Sequence, residues 1–307
     1  MKLKQLLYQG KKTLEQFEID DSTLKSRAIL SYVLQIPKEQ ILINELEEVL
    51  YEKQVEYENC IKKIAEGVPL QYITHNQEFM GLDFYVDENV LIPQPDTEIL
   101  VEETLKVIHK FEQSNEDIQV LDLCTGSGAI AISIAYYCKE NQMLKQVNQN
   151  TQWNSVEILA TDISAKALEI AKKNAKINKV QEQVKFIQSN LFEELSNNQF
   201  DIIVSNPPYI QTSIILKLSK EVRQEPILAL DGGMDGLDFY KAILRQASSY
   251  LKPHGYLLLE IGYDQGKAII DLLENQKLQE GNKLELITKS AIKDLGGNER
   301  VLILKKK

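Results

Sequence analysis

At 307 residues and 43% hydrophobic content, the chain can bury one large core or two ordinary ones. Its 35 Lys and Arg face 45 Asp and Glu, a formal net charge of -10, so no global positive field draws it onto a phosphate backbone. Cys60, Cys124 and Cys138 form no CxxC pair and His75, His109 and His254 are scattered, which excludes a disulfide framework and a zinc spacing and fits a reducing compartment.

The N-terminal MKLKQLLYQGKKTLEQF returns to charge too soon for a signal peptide, and no apolar run approaches a membrane span. A cytoplasmic monomer is the expectation. Residues 1–75 read as a helical bundle, because SRAILSYVLQI and EVLYEKQVEYENCIKKIAEG carry apolar residues at helical spacing. Asp21 and Ser22 are expected to cap the helix that follows them. The alternation in Glu78–Pro93, around Gly81 and Asp87 to Asn89, predicts a hairpin, and residues 76–93 are expected to link two domains.

From residue 94 to 307 strands alternate with helices. The strands are IQVLDLC, SVEILATDI, QVKFIQ, FDIIVSN, YLLLEIG, LELIT and RVLILK, near-continuous apolar runs that predict an α/β fold with a mostly parallel sheet covered on both faces. The last two strands are close in sequence, which leaves room for an antiparallel member. The polar stretch from Lys139 to Asn154, rich in Asn and Gln, is expected to be an inserted surface loop.

The segment VLDLCTGSGAIAISIA reads as a buried strand, a glycine turn and a helix start. Gly126 and Gly128 let the backbone turn and approach a ligand, and the helix N-terminus offers free N–H groups to it. The match to GxGxxA over Gly126 to Ala131 also fits a dinucleotide fingerprint, so an NAD-dependent oxidoreductase stays open at this point. At the end of the next strand Asp162 is placed to accept from two ribose hydroxyls, while Ser164 is the alternative cap of the following helix. Asn190 and Leu191 fall at the end of the third strand, where Asn190 can read an adenine edge and Leu191 or Phe192 can wall its ring.

The fourth strand, FDIIV, ends in SNPPY. Pro207 and Pro208 lack N–H groups, so the chain leaves the sheet there. The side-chain oxygen of Asn206 and the carbonyl of Pro207 are two fixed acceptors suited to the two hydrogens of a planar NH2 group, and Tyr209 is expected on the flat face of that substrate. Taking both hydrogens turns the nitrogen lone pair toward an electrophile, with no charged base needed.

With these residues in view the sequence resembles the S-adenosylmethionine-dependent methyltransferases that carry an NPPY motif, and more closely the bacterial release factor glutamine methyltransferases, the HemK or PrmC family. The resemblance runs over nearly the whole chain through GVPLQYIT, VLIPQPDTEILVE, LDLCTGSGAIAISIA, IVSNPPYI and EPILALDGGMDGLDFYKAIL. It implies a Rossmann-like class I methyltransferase domain with a seven-stranded sheet at 94–307, a β-hairpin linker at 76–93, and a helical domain at 1–75 that holds the substrate protein. It implies methyl transfer from S-adenosylmethionine to the side-chain amide nitrogen, N5, of the glutamine in the GGQ motif of peptide chain release factors, in translation termination.

By motif, the resemblance assigns the cofactor to Cys124, Thr125, Gly126, Ser127, Gly128, Asp162, Asn190, Leu191 and Asn206. It assigns the substrate to Asn206, Pro207, Pro208 and Tyr209, with Asn206, Pro207 and Tyr209 catalytic; no metal, nucleic acid or membrane is expected from the spacing, charge and hydropathy above. Four positions depart from the family pattern: Cys124 and His75 stand where glycine is usual, Gln94 where Arg is usual, and Asn190 where Asp is usual. A nucleic-acid amino-methyltransferase acting on adenine, cytosine or guanine is the alternative, and the acidic balance speaks against it.

Overall fold

A computed structural model of the chain describes residues 1–111, 117–147, 155–195, 198–280, 283–287 and 291–307. Two units pack separately, Met1–Asn76 with Leu218–Gln224, and Gln77–Lys217 with Glu225–Lys307.

The first unit is helical: α1 (Leu3–Gln16), α2 (Ser22–Leu34), α3 (Lys38–Ile43), α4 (Tyr51–Ala65) and α5 (Leu70–Thr74). Leu3, Leu6 and Leu14 of α1 meet Ile29, Leu30 and Val33 of α2 and Tyr57, Ile61 and Ile64 of α4, the faces that helical periodicity marks. Asp21 precedes α2 in the left-handed region (φ 54°) and makes no side-chain cap, so the expected cap there is replaced by a backbone turn. His75 ends α5 at φ 52°, which explains why a glycine suits this position. The short Leu218–Gln224 segment returns to this unit, where Glu221 pairs with Lys25 of α2.

The second unit opens with the hairpin β1 (Gln77–Phe79) and β2 (Leu82–Phe84). It is not a free linker. Phe79, Leu82 and Phe84 are buried in the core of this unit, Tyr137 Oη donates to the Met80 carbonyl at 2.6 Å, and the Tyr85 N–H donates to Asn174 Oδ1 at 2.7 Å. The hairpin is shorter than the Glu78–Pro93 span expected for it, because Tyr85 to Pro93 pairs with no strand.

The body alternates as the sequence predicts: α6 (Glu98–Phe111), β3 (Ile118–Leu123), α7 (Ala129–Val147), β4 (Val156–Asp162), α8 (Ala165–Ile177), β5 (Val184–Gln188), β6 (Phe200–Ser205), α9 (Thr212–Ile215), α10 (Ile227–Leu230), α11 (Asp238–Tyr250), β7 (Leu251–Glu260), α12 (Gly266–Glu280), β8 (Leu284–Leu286), β9 (Ile292–Lys293) and β10 (Glu299–Lys306). The sheet runs β5-β4-β3-β6-β7-β10-β8. β5 through β7 are parallel, while β10 runs antiparallel to β7 and β8. That path has the expected seven strands; among the described residues the two-residue β9 also pairs with β10, as an eighth strand off the path.

Successive residues of β3 serve opposite faces. Val120 joins a core with α6 and α7, whereas Leu121 and Leu123 join one with α11 and α12. Two other readings change. α7 continues to Val147, so the start of the expected polar loop is helix; Asn and Gln forbid neither state, and residues 148–154 lie outside the described residues. β7 begins at Leu251 rather than Tyr256, with a register shift opposite Phe200 to Ile202 that absorbs Pro253 and Gly255. No helix among the described residues is long and apolar enough to cross a membrane.

Glu225 ties the approach to the sheet. It is 6% exposed and its Oε2 accepts the Ile92 N–H at 2.9 Å. Burial pushes its carboxyl from 4.5 up to about 7, with the Ile92 hydrogen bond pulling it part of the way back. A raised folded-state value means that its contribution to stability is full below the unfolded value and is lost as pH rises through about 7. Glu225→Gln keeps an acceptor for Ile92 but does not titrate. Its melting temperature relative to the parent protein is therefore expected to rise between about pH 5 and about pH 8; a difference that stays flat or shrinks over that range contradicts this role.

Candidate active site

Because β3 pairs in parallel with both β4 and β6, the carboxyl ends of these strands share one edge, and the order of strands reverses there. The loop after β3 makes the first wall. Cys124 and Gly126 lie in the left-handed region (φ 60° and 55°). A Cβ on Gly126 would meet nothing within 4 Å, whereas one on Gly128 would meet Ile132 Cδ1 at 2.7 Å and Ala171 Cβ at 3.1 Å. Gly126 thus leaves room for a ligand, and Gly128 lets α7 pack against α8. Thr125 and Ser127 turn inward and are buried, Thr125 Oγ1 donating to Asp122 Oδ2 at 2.6 Å and the Ser127 carbonyl accepting from Asn174 Nδ2 at 2.9 Å.

Asp162 ends β4 and braces the loop. Its Oδ2 accepts the Gly126 N–H at 2.9 Å and its Oδ1 accepts the Ser164 N–H at 2.8 Å. A carboxylate has about four lone-pair sites, so acceptor capacity remains for a ligand. Burial raises its pKa, and the N–H donors at Ser164 and Gly126 hold it down. Ser164 does cap α8, accepting the Ala167 N–H at 3.2 Å. After β5, Asn190 is exposed and donates to Glu193 Oε1 at 2.8 Å, while Leu191 takes a left-handed turn (φ 50°). Phe192 is core, stacked on Tyr250 with ring centroids 4.6 Å apart.

At the end of β6, Ser205 Oγ donates to the Leu123 carbonyl at 2.8 Å and Asn206 Nδ2 donates to Thr97 Oγ1 at 3.2 Å. The next turn is clamped by the glycine-rich segment downstream. The Ile210 N–H donates to the Leu230 carbonyl at 2.9 Å, and the Gly232 N–H to the Ile210 carbonyl at 2.8 Å. Side chains at Gly232 or Gly236 would strike the Tyr209 backbone. Gln265 Nε2 completes the clamp, 3.0 Å from the Tyr209 carbonyl and 3.2 Å from that of Gly236.

A cleft with about 860 Å³ of unfilled space, its mouth included, opens along this edge. Of the residues expected at the site, Cys124, Gly126, Asp162, Asn190, Leu191, Asn206 and Pro208 line it. Thr125, Ser127 and Gly128 lie behind it, as does Pro207, which is buried. Tyr209 does not line it either: its ring packs against the core under α11 and α12, and burial, then the nearby Glu260, pushes its phenol up to about 12. Apolar walls come from Val90, Leu91, Leu228 and Phe239, which sequence reasoning missed; Val90 and Leu91 fell inside the expected hairpin, and nothing local marks Leu228 or Phe239.

The buried acids Asp122 and Glu260 were also missed. Burial pushes each carboxyl up to about 7. Asp122 takes the Thr125 hydroxyl and, at 3.2 Å, the Ala131 N–H, so it joins the loop to the start of α7. The available signal was an acid inside an apolar strand, in VLDLC and in LLLEIG.

A family model described as "Methyltransferase domain" matches residues 114–297, and one described as "PrmC N-terminal domain" matches residues 5–74. The chain is 40% identical over 286 residues to the release factor glutamine methyltransferase of Clostridium acetobutylicum, covering 90% of this chain and 91% of that one. It belongs to the release factor glutamine methyltransferase family. The enzyme of that name from Moorella thermoacetica is 37% identical over 272 residues, 89% of each chain. Among solved structures, the hMettl16 catalytic domain in complex with MAT2A 3'UTR hairpin 6 matches with a TM-score of 0.52 over 78% of this chain and 80% of that one; at 18% identity it shows the fold alone.

Two departures from the family pattern now have a structural setting. Cys124 sits in the left-handed turn that favours glycine, at a cost of about 1–2 kcal/mol for a side chain. Gln94 folds back, its Nε2 donating to the Ile92 carbonyl at 2.9 Å. The different surroundings of the two loop glycines separate their roles. Gly128→Ala is expected to destabilise the fold by about 1–3 kcal/mol through overpacking against Ala171. Gly126→Ala is expected to lower ligand affinity with a smaller change in melting. Thermal melting and ligand calorimetry of both variants check this, and equal destabilisation with unchanged binding contradicts it.

Proposed function

We propose that the cleft binds S-adenosylmethionine and that the enzyme methylates the side-chain amide nitrogen, N5, of the glutamine in the GGQ motif of peptide chain release factors. The observation that carries this reading is the orientation of Asn206: its nitrogen is held by Thr97 Oγ1 at 3.2 Å, which leaves its oxygen as the end free to receive a donor in the cleft. The residues present suit the cofactor. Gly126 leaves the space that a Cβ would fill, Asp162 retains acceptor capacity for a diol, Asn190 lines the adenine end, and Leu191 with Phe239 supplies an apolar wall for a flat ring. Cys124 to Gly128 form the loop beneath it, with Thr125, Ser127 and Gly128 shaping the turn from behind.

When bound, the cofactor supplies an electrophilic methyl carbon. The Asn206 oxygen, at the cleft lining, takes one N–H hydrogen of the glutamine, and the main-chain carbonyl of Pro207, whose ring packs behind the cleft, is assigned the other, drawing the delocalised lone pair out of the amide plane and toward the methyl group. Pro207 and Pro208 hold those acceptors still because their rings fix φ. Alignment of this kind is worth roughly 7–11 kcal/mol in favourable intramolecular cases. Tyr209, with a phenol raised to about 12, stays neutral and acts by fixing the turn rather than as a base. The extra proton leaves the product nitrogen for water.

The helical unit is assigned to grip the body of the release factor, and the net charge of -10 favours a protein substrate over a nucleic acid. The reaction belongs in the cytoplasm, with the enzyme as a monomer. Incubation with labelled S-adenosylmethionine is expected to label a release factor and to leave unlabelled one whose GGQ glutamine is replaced. Equal labelling of the two, or none, contradicts the reading.

A further inference from the structure

Asn206 is useful as an acceptor only while its amide faces one way, and an amide can rotate by half a turn with little change of shape. The groups behind it decide which end faces the cleft. Thr97 closes a 3₁₀ turn at Pro95–Thr97 and is 5% exposed; Glu260 ends β7 and is 2% exposed. β7 lies parallel to β6 with Ser205 opposite Leu259, so Glu260 is the next residue beside Asn206 where both strands stop. Thr97 Oγ1 receives the Asn206 nitrogen at 3.2 Å, and the side chains of both residues help to hold the buried Glu260 carboxyl down from the value that burial alone would give it.

The directions of these bonds are fixed by what each group can do. In its ionised form Glu260 only accepts, so a Thr97 hydroxyl directed at it donates its single hydrogen there and keeps a lone pair for Asn206. The Asn206 nitrogen then faces inward, donating to Thr97 where Glu260 stands beside it at the strand ends. Rotating the amide would turn its oxygen toward the carboxylate and give up the donation to Thr97. Arg300 favours the charged form of this acid but is committed to others. Arg300 is engaged by Asp96 at 2.7 Å and Asp294 at 2.9 Å, and Glu260 Oε2 has no hydrogen-bond partner among the described residues. A carboxyl so deeply buried is costly, and such groups persist where they serve a site.

We propose that Glu260 and Thr97 are positioning residues for methyl transfer, a one-way hydrogen-bond relay that locks the Asn206 oxygen toward the substrate amide. The proposal rests on the reading of Asn206 as the substrate acceptor. Gln at position 260 carries its own donor, so the relay can reverse and the amide can turn. Val at position 97 cuts the relay with little change in volume.

The test measures single-turnover methyl transfer to a release factor at mildly alkaline pH, with S-adenosylmethionine affinity by calorimetry and folding by melting. Glu260→Gln and Thr97→Val are each expected to slow transfer by about 10²-fold, the scale for misplacing a reacting group, while cofactor affinity changes less than about threefold. Thr97→Ser, which keeps the hydroxyl, is expected to restore most of the rate. In an Asn206→Ala background neither change should slow transfer further, because both act through that residue. A parental rate in either folded single variant, or an undiminished extra loss in the Asn206→Ala background, overturns the proposal. If Glu260→Gln does not fold, Thr97→Val and Thr97→Ser carry the test. Failure of the functional reading itself gives a different result: no transfer to the glutamine even by the unaltered enzyme.

Discussion

The parallel pairing of β3 with both β4 and β6 brings three strand ends, at Leu123, Asp162 and Ser205, onto one edge of the sheet. The groups proposed for cofactor and substrate hang from that edge. Their spacing is set by backbone ladders buried on both faces rather than by the loops themselves, which is why loops as irregular as CTGSG and NPPY can hold fixed positions. Ser205 Oγ on the Leu123 carbonyl, at 2.8 Å, extends the join between β3 and β6 beyond the last paired backbone groups.

Acids make the second layer of this edge. Asp122 fastens the glycine loop to α7, Asp162 fastens it to the start of α8, and Glu260 backs Asn206. Each carboxyl is raised by burial and held down in part by hydrogen bonds from its neighbours. Removing water from a carboxyl is unfavourable, and the donors offset only part of that cost. What the arrangement achieves is direction: once ionised, each carboxylate only accepts, and so dictates which way a neighbouring N–H or O–H must point.

Much of this was legible in the residues because its causes are local. Apolar runs bounded by glycine and proline mark the parallel strands, and the order of Gly126, Asp162 and Asn206 follows the order of the strand ends that carry them. The exceptions have causes that lie far along the chain. Gly128 looks like a ligand-facing glycine until Ala171, on another helix, is seen packed against it. The glycines of LDGGMDG have no visible purpose until Tyr209 passes beside Gly232 and Gly236. The hairpin at Gln77–Phe84 reads as a linker because nothing local reveals that Phe79 and Phe84 fill the core of the large unit. Tyr209 carries the motif, yet its ring turns to the core, a choice decided by α11 and α12 rather than by its neighbours in NPPY.

The central claim is that the Asn206 oxygen receives the amide that becomes methylated. The most direct test is the single-turnover rate of Asn206→Ala with saturating S-adenosylmethionine and release factor. The account predicts a fall of about 10²–10³-fold, the scale for losing one preorganised hydrogen-bonding group at a reacting centre, in a protein that melts normally and still binds the cofactor. A rate equal to that of the unaltered enzyme would contradict it.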